Sequence, residues 1–113
     1  YVFRRGGKSI LIANDTGWLC DESWKLLEGM KLDAAVIEST CGIRFADWRE
    51  GHMGADTSIA FRRRLVDMGC LAPEAPAIVN HFSHNGGALH GDLVDYFTPH
   101  GIAVAYDGLT LEV

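Results

Sequence analysis

Two kinds of hydrophobic pattern alternate along the chain. Short unbroken apolar runs, Ile10-Leu11-Ile12-Ala13, Ala34-Ala35-Val36-Ile37 and Ala77-Ile78-Val79, are separated by stretches in which apolar residues recur every three or four positions. The runs predict buried strands and the recurrences predict amphipathic helices. At the start, Tyr1 to Arg5 and Lys8 to Asn14 flank Gly6-Gly7. A two-glycine link supplies the positive φ angles of a tight primed turn, so a hairpin is predicted. Asp21 is placed to cap a short helix with Cys20, Trp24 and Leu27 on one face and Gly29 as its stop. A strand over Leu32 to Glu38 follows. Residues 39–54 keep no period and contain Gly42, Gly51 and Gly54. They predict a long loop, of the kind that is usually functional in a compact domain.

A second helix is expected from Asp56 or Thr57, with Phe61, Leu65 and Met68 as its stripe and Gly69 past its end. Pro73 and Pro76 bound the link to a strand over Ala77 to His81. The segment Phe82 to Gly87 then turns into a last helix with Leu89, Leu93 and Tyr96 on one side, ended by Gly101. Asp107-Gly108 between apolar runs predicts a closing hairpin of Ile102 to Ala105 and Leu109 to Val113. The sum is an α/β chain of order ββαβαβαββ, a mixed sheet with about three helices, read as one domain over 1–113.

Composition narrows the class. With 48% apolar and 22% charged residues the chain is globular, and a net charge of -5 argues against a broad phosphate-tracking surface. Cys20, Cys41 and Cys70 are odd in number and lack a C-x-x-C pair, so neither a disulfide framework nor a thiolate zinc knuckle is indicated. A reducing, cytoplasmic setting fits such usage, and no apolar run has the length a membrane helix needs. The chain opens on Tyr1-Val2-Phe3-Arg4-Arg5, without a methionine and inside an apparent strand, so upstream sequence is expected.

Candidate chemistry gathers at Asp15, Glu38 and His81, each at the end of an apolar strand run, and at His52 in the glycine-flanked loop. In an open α/β sheet, ligands bind beyond the carboxyl ends of the strands. Each residue has an ordinary reading as well. Asn14-Asp15-Thr16-Gly17 can be an Asx turn, His81 a hydrogen-bonded strand end, Glu38 a partner for an arginine. His84, His90 and His100 read as surface or helix-end residues, and Arg62-Arg63-Arg64 as a solvated helix face. Co-location favours more, because carboxylate and imidazole at one edge are ligand types that borderline divalent cations take.

The succession Ile12-Ala13-Asn14-Asp15-Thr16-Gly17, Glu38-Ser39-Thr40, Gly51-His52-Met53-Gly54, Asn80-His81-Phe82-Ser83-His84 and Ala105-Tyr106-Asp107-Gly108 resembles the C-terminal half of metallo-β-lactamase-fold hydrolases. The phosphodiesterase branch, with the cyclic phosphodiesterase of the carbon–phosphorus lyase pathway and the tRNA 3′-end processing endonucleases, is most similar. The resemblance implies half of an αββα sandwich, with the N-terminal half and its H-x-H-x-D-H segment absent. It implies Asp15 and His81 as metal ligands, His52 as proton donor to the leaving group and Glu38 as the residue that orients it. Glu38-Ser39-Thr40 stands where the endonucleases have Glu-Ala-Thr. Ser83, His84 and Asn85 would line the substrate pocket. The complete enzyme would hold two divalent ions, zinc or manganese, roughly 3.5–4 Å apart, whose bridging hydroxide attacks phosphorus. This chain alone, with two ligands where a stable zinc site takes about four, is expected to bind metal weakly or not at all.

The implied partners are the missing half or a second chain, and a small phosphodiester rather than nucleic acid. Homodimerisation through an exposed sheet face is a further expectation. Outside hydrolysis, the same residues could belong to a non-catalytic α/β module that dimerises or complements another chain. A nucleotide-binding reading, prompted by Gly86-Gly87 and Gly91, is weak because no G-x-G-x-x-G follows the first strand.

Overall fold

The structure, a computed structural model, describes all residues from Tyr1 to Val113. Its sheet has five strands in the spatial order of the sequence: β1 (Val2–Arg5), β2 (Lys8–Ala13), β3 (Ala34–Glu38), β4 (Ala77–Asn80) and β5 (Ala103–Val104). β1 runs antiparallel to β2, and the other three pairings are parallel. The predicted glycine hairpin forms, with Arg5 opposite Lys8 and φ of 58° and 81° at Gly6 and Gly7.

Helices α1 (Asp21–Leu27), α2 (Ala55–Asp67) and α3 (His90–Phe97) make the crossovers between consecutive parallel strands. Every crossover advances one position in the same direction along the sheet. With the right-handed connection that twisted strands favour, all three helices land on one face. The core agrees with this. Strand alternation sends Leu11, Ala13, Ala35, Ile37, Ala77 and Val79 to that face, where they join Trp24, Phe61, Leu65, Leu93 and Phe97 in one buried cluster. Each large side chain buried there is worth about 1.5–3 kcal/mol relative to exposure. The opposite face presents Ile10, Ile12, Val36 and Ile78 without a helix over them, beside Phe3, which is 57% exposed.

Several expectations need correction. Asp21 is the first helical residue of α1, and Cys20 precedes it in extended backbone and lies exposed, so the buried face is Trp24 and Leu27. Met68 is the C-terminal cap of α2 and, partly buried, still packs against the core that Phe61 and Leu65 enter. Leu89 precedes α3 and is 78% exposed, while Leu93 and Phe97 carry the contact. β3 begins at Ala34, Leu32 contributing only an isolated bridge to Leu71.

The closing hairpin is half formed. The turn closes, with the Leu109 N–H donating to the Tyr106 carbonyl at 3.0 Å, but Leu109 to Val113 form no strand. A two-residue β5 offers little edge to pair with. The tail instead takes its apolar side chains to the helix-free face, where Leu109 and Leu111 line a cavity with Ile78 and Ala103. The three arginines of α2 part company as well. Arg62 donates to the Pro73 carbonyl, Arg63 faces Asp67 at 3.8 Å on the surface, and Arg64 lies 4.4 Å from the centre of the Trp24 ring. No helix of the chain is long and apolar enough to cross a membrane.

Candidate functional site

At the carboxyl ends of β2, β3 and β4 the backbone leaves the sheet abruptly. Asp15 and His81 both have φ of 58°. They are the only residues other than glycine in the left-handed region, a conformation that costs a side chain of this kind about 1–3 kcal/mol and clusters at functional sites. Between them in the strand order ends β3, and its last residue, Glu38, is fully buried.

Glu38 is the hub of the rim. One carboxylate oxygen accepts the Thr16 and Gly17 N–H groups at 2.7 and 2.9 Å. The other accepts the Thr40 hydroxyl, the Met53 N–H at 3.3 Å and His52 Nδ1 at 3.0 Å. Burial pushes this carboxyl up, but the bonds from Thr40, Gly17, Thr16 and Met53 outweigh it and hold it below the ordinary glutamate range. The Glu38 carbonyl accepts the Ser58 hydroxyl at 2.7 Å, tying the start of α2 to the same strand end. These bonds join two rim segments, residues 14–19 and the long loop 39–54, to the start of α2.

Close backbone approach completes the joint. A Cβ on Gly17 would lie 2.8 Å from the Gly51 nitrogen, and one on Gly42 would lie 2.8 Å from the Gly86 Cα. Neither position admits a side chain without displacing backbone. Trp18 anchors the first segment. Its N–H donates to the Arg49 carbonyl, and its ring centre lies 5.3 Å from that of Trp24 and 6.0 Å from that of Phe61.

The predicted residues divide into those the rim gathers and those it leaves apart. His52 Nδ1 lies 3.0 Å from Glu38 and 3.5 Å from Asp15 Oδ1, and its ring centre is 6.0 Å from that of His81. Asp15, Glu38, His52 and His81 therefore share one site. Ser83, His84 and Asn85 form the adjoining turn. Its start is tied to the rim by the Ser83 N–H donating to the Thr40 carbonyl at 3.2 Å, but the Ser83 hydroxyl is taken by the Asn85 N–H, and the side chains of His84 and Asn85 are exposed without hydrogen bonds.

Sequence reasoning assigned no role to Thr40. Its hydroxyl contacts both Glu38 and, at 2.9 Å, His81 Nδ1. A hydroxyl two residues beyond a buried strand-end carboxylate was the available signal. The Oδ1 atoms of Asn14 and Asn80, buried beside the same strand ends, have no protein partner. The rim thus carries more polar capacity than its own bonds consume.

Glu38, His52 and His81 offer ligand atoms within 4.8 Å of one another. Glu38 is nevertheless a poor cation ligand, because a carboxylate has about four lone-pair sites and five donors already converge on this one. What remains free are the imidazole Nε2 atoms and the Asp15 carboxylate, 71% exposed. That donor set fits a borderline divalent cation as part of a coordination shell. Burial, helped by the Glu38 charge, raises the Cys41 thiol, so no thiolate joins it. Compared with known proteins, the chain matches no family model, no curated protein and no solved structure.

Proposed function

We propose that this chain is the metal-binding C-terminal half of a metallo-β-lactamase-fold hydrolase acting on phosphodiesters. The observation that carries the reading is the convergence at one sheet edge of Asp15, His52 and His81 around a buried, hydrogen-bond-saturated Glu38. Asp15 and His81 are the ligands, supplied from the ends of β2 and β4. A divalent cation held there contributes a Lewis acid and a bound water of lowered pKa.

The chain's own residues do the rest. Glu38 accepts the Nδ1 proton of His52 and holds the ring in place. That leaves Nε2 to take up a proton and, from the imidazolium form, to give it to the departing oxygen, a contribution worth about 10²- to 10⁴-fold. Glu38 is itself held by backbone N–H groups from two loops, so the ring is positioned against a rigid support. The turn Ser83 to Asn85 borders the site and offers the exposed His84 and Asn85 side chains to a substrate.

The helix-free sheet face supports the half-sandwich reading, in which a second αβ layer packs against Ile10, Ile12, Val36 and Ile78. The same face favours a second reading, a non-catalytic module that dimerises there. Equilibrium dialysis against zinc and manganese, together with gel filtration, separates the two. The hydrolase reading expects saturable metal uptake that His81→Ala abolishes, and phosphodiester turnover in the assembled protein that His52→Ala slows about 10²- to 10⁴-fold with metal content unchanged. A stable dimer that takes up no more metal than the His81→Ala variant would leave only the module.

A further inference from the structure

Thr40 stands between the two polar systems of the rim, its hydroxyl touching Glu38 on one side and His81 Nδ1 on the other. A threonine hydroxyl has one proton and two lone pairs. Both Glu38 oxygens already accept backbone N–H groups, from Thr16, Gly17 and Met53, which can only donate, so the carboxylate stands as an acceptor to its surroundings. The Thr40 proton therefore goes to Glu38, where the bond is charge-assisted. Towards His81 the hydroxyl has only a lone pair left, so His81 Nδ1 must carry a proton. On its other side Glu38 demands the same of His52, whose Nδ1 also faces a carboxylate.

The geometry points to Thr40 as a positioning residue. Through it to His81, and directly to His52, one buried glutamate sets both rim histidines in the Nδ1–H tautomer and frees both Nε2 lone pairs towards solvent or ligand. Neither Nε2 has a hydrogen-bond partner in the protein, and the rings lie 6.0 Å apart, tilted by 31°. His81 is reached indirectly, through a hydroxyl, whereas His52 is reached directly. Orientation of a ligand imidazole through its second nitrogen raises its basicity and fixes its direction. The relay itself depends only on the hydrogen bonds. Its value for metal binding rests on the hydrolase reading above.

Nitrogen-15 NMR of the imidazoles in the metal-free chain, at a pH that keeps both rings neutral, reads the tautomers directly. The wild type should show Nδ1–H at both histidines. Thr40→Val, close in shape but without the hydroxyl, should release His81 into a mixture containing Nε2–H and leave His52 unchanged. Thr40→Ser should restore the wild-type spectrum. An Nε2–H form of His81 in the wild type, or a Thr40→Val spectrum identical to it, overturns the assignment.

Zinc titration adds a second readout, with Thr40→Val expected to weaken affinity about 10- to 100-fold and Thr40→Ser to recover it. A wild type with both rings in the Nδ1–H form whose zinc affinity is no higher than that of Thr40→Val would uphold the relay and remove its value for metal binding. The two claims can thus fail separately.

Discussion

The rim has an inner and an outer part, and they treat the same chemical groups in opposite ways. Inside, Glu38 is buried and receives five donors from two segments of chain. Outside, one strand over, Asp15 keeps a carboxylate that is 71% exposed and has one neighbour, His52 Nδ1 at 3.5 Å. A carboxylate so fully bonded is committed to holding structure, whereas one so free can still exchange its water for a ligand. The difference assigns roles by spare bonding capacity, with Glu38 and Thr40 as support and Asp15, His81 and His52 Nε2 as the working surface.

Substitution at the inner part should do the largest damage. Glu38→Ala strands buried donors from Thr16, Gly17 and Met53, at about 1–3 kcal/mol for each left unpaired, so unfolding in urea should show a loss of at least about 3 kcal/mol. A loss under about 1 kcal/mol would erase the contrast with Asp15.

A smaller effect is expected from acid. Because the folded pKa of Glu38 is depressed, its contribution to stability is full above the ordinary glutamate range and is lost as pH falls through the lowered folded value. Asp33, held down by the Ser9 N–H and Lys8, acts in the same direction at the other end of the sheet. The informative quantity is therefore the gap in urea midpoint between wild type and Glu38→Gln. It should be widest near neutral pH and shrink on acidification below the glutamate range, and a gap independent of pH would contradict the ionised hub. Least of all should Asp15→Asn disturb the fold. Asparagine tolerates the left-handed backbone at this position, so stability should stay within about 0.5 kcal/mol while zinc uptake falls. A large stability loss would place Asp15 among the supports.

Much of this was legible before any coordinates. Runs such as Ile10 to Ala13 and Ala77 to Val79 mark buried parallel strands because helix-covered strands carry little polar alternation. Gly6-Gly7 marks the hairpin, and Gly29, Gly69 and Gly101 mark helix ends, all with positive φ. The rim residues were legible as a set, since a polar residue at the end of each apolar run has only the sheet edge to occupy. Thr40 was not, because its role depends on a contact with His81, 41 residues away, that no periodicity encodes. Nor was the free course of Leu109 to Val113, where apolar composition reads as a strand but pairing depends on how much edge the two-residue β5 leaves. Leu89 misled for a related reason, as spacing places it on the α3 stripe while the helix begins one residue later.

The identity of strand order in space and in sequence bears on how the molecule is made. Each strand pairs with the one synthesised just before it, so the chain emerging from a ribosome never has to hold a gap open for a partner still to come. Pairing partners stay close along the chain, the entropic cost of each closure stays low, and assembly can advance as a zipper from the glycine hairpin. The rim would then be completed once the second crossover delivers β4, and with it His81, to a Glu38 already in place.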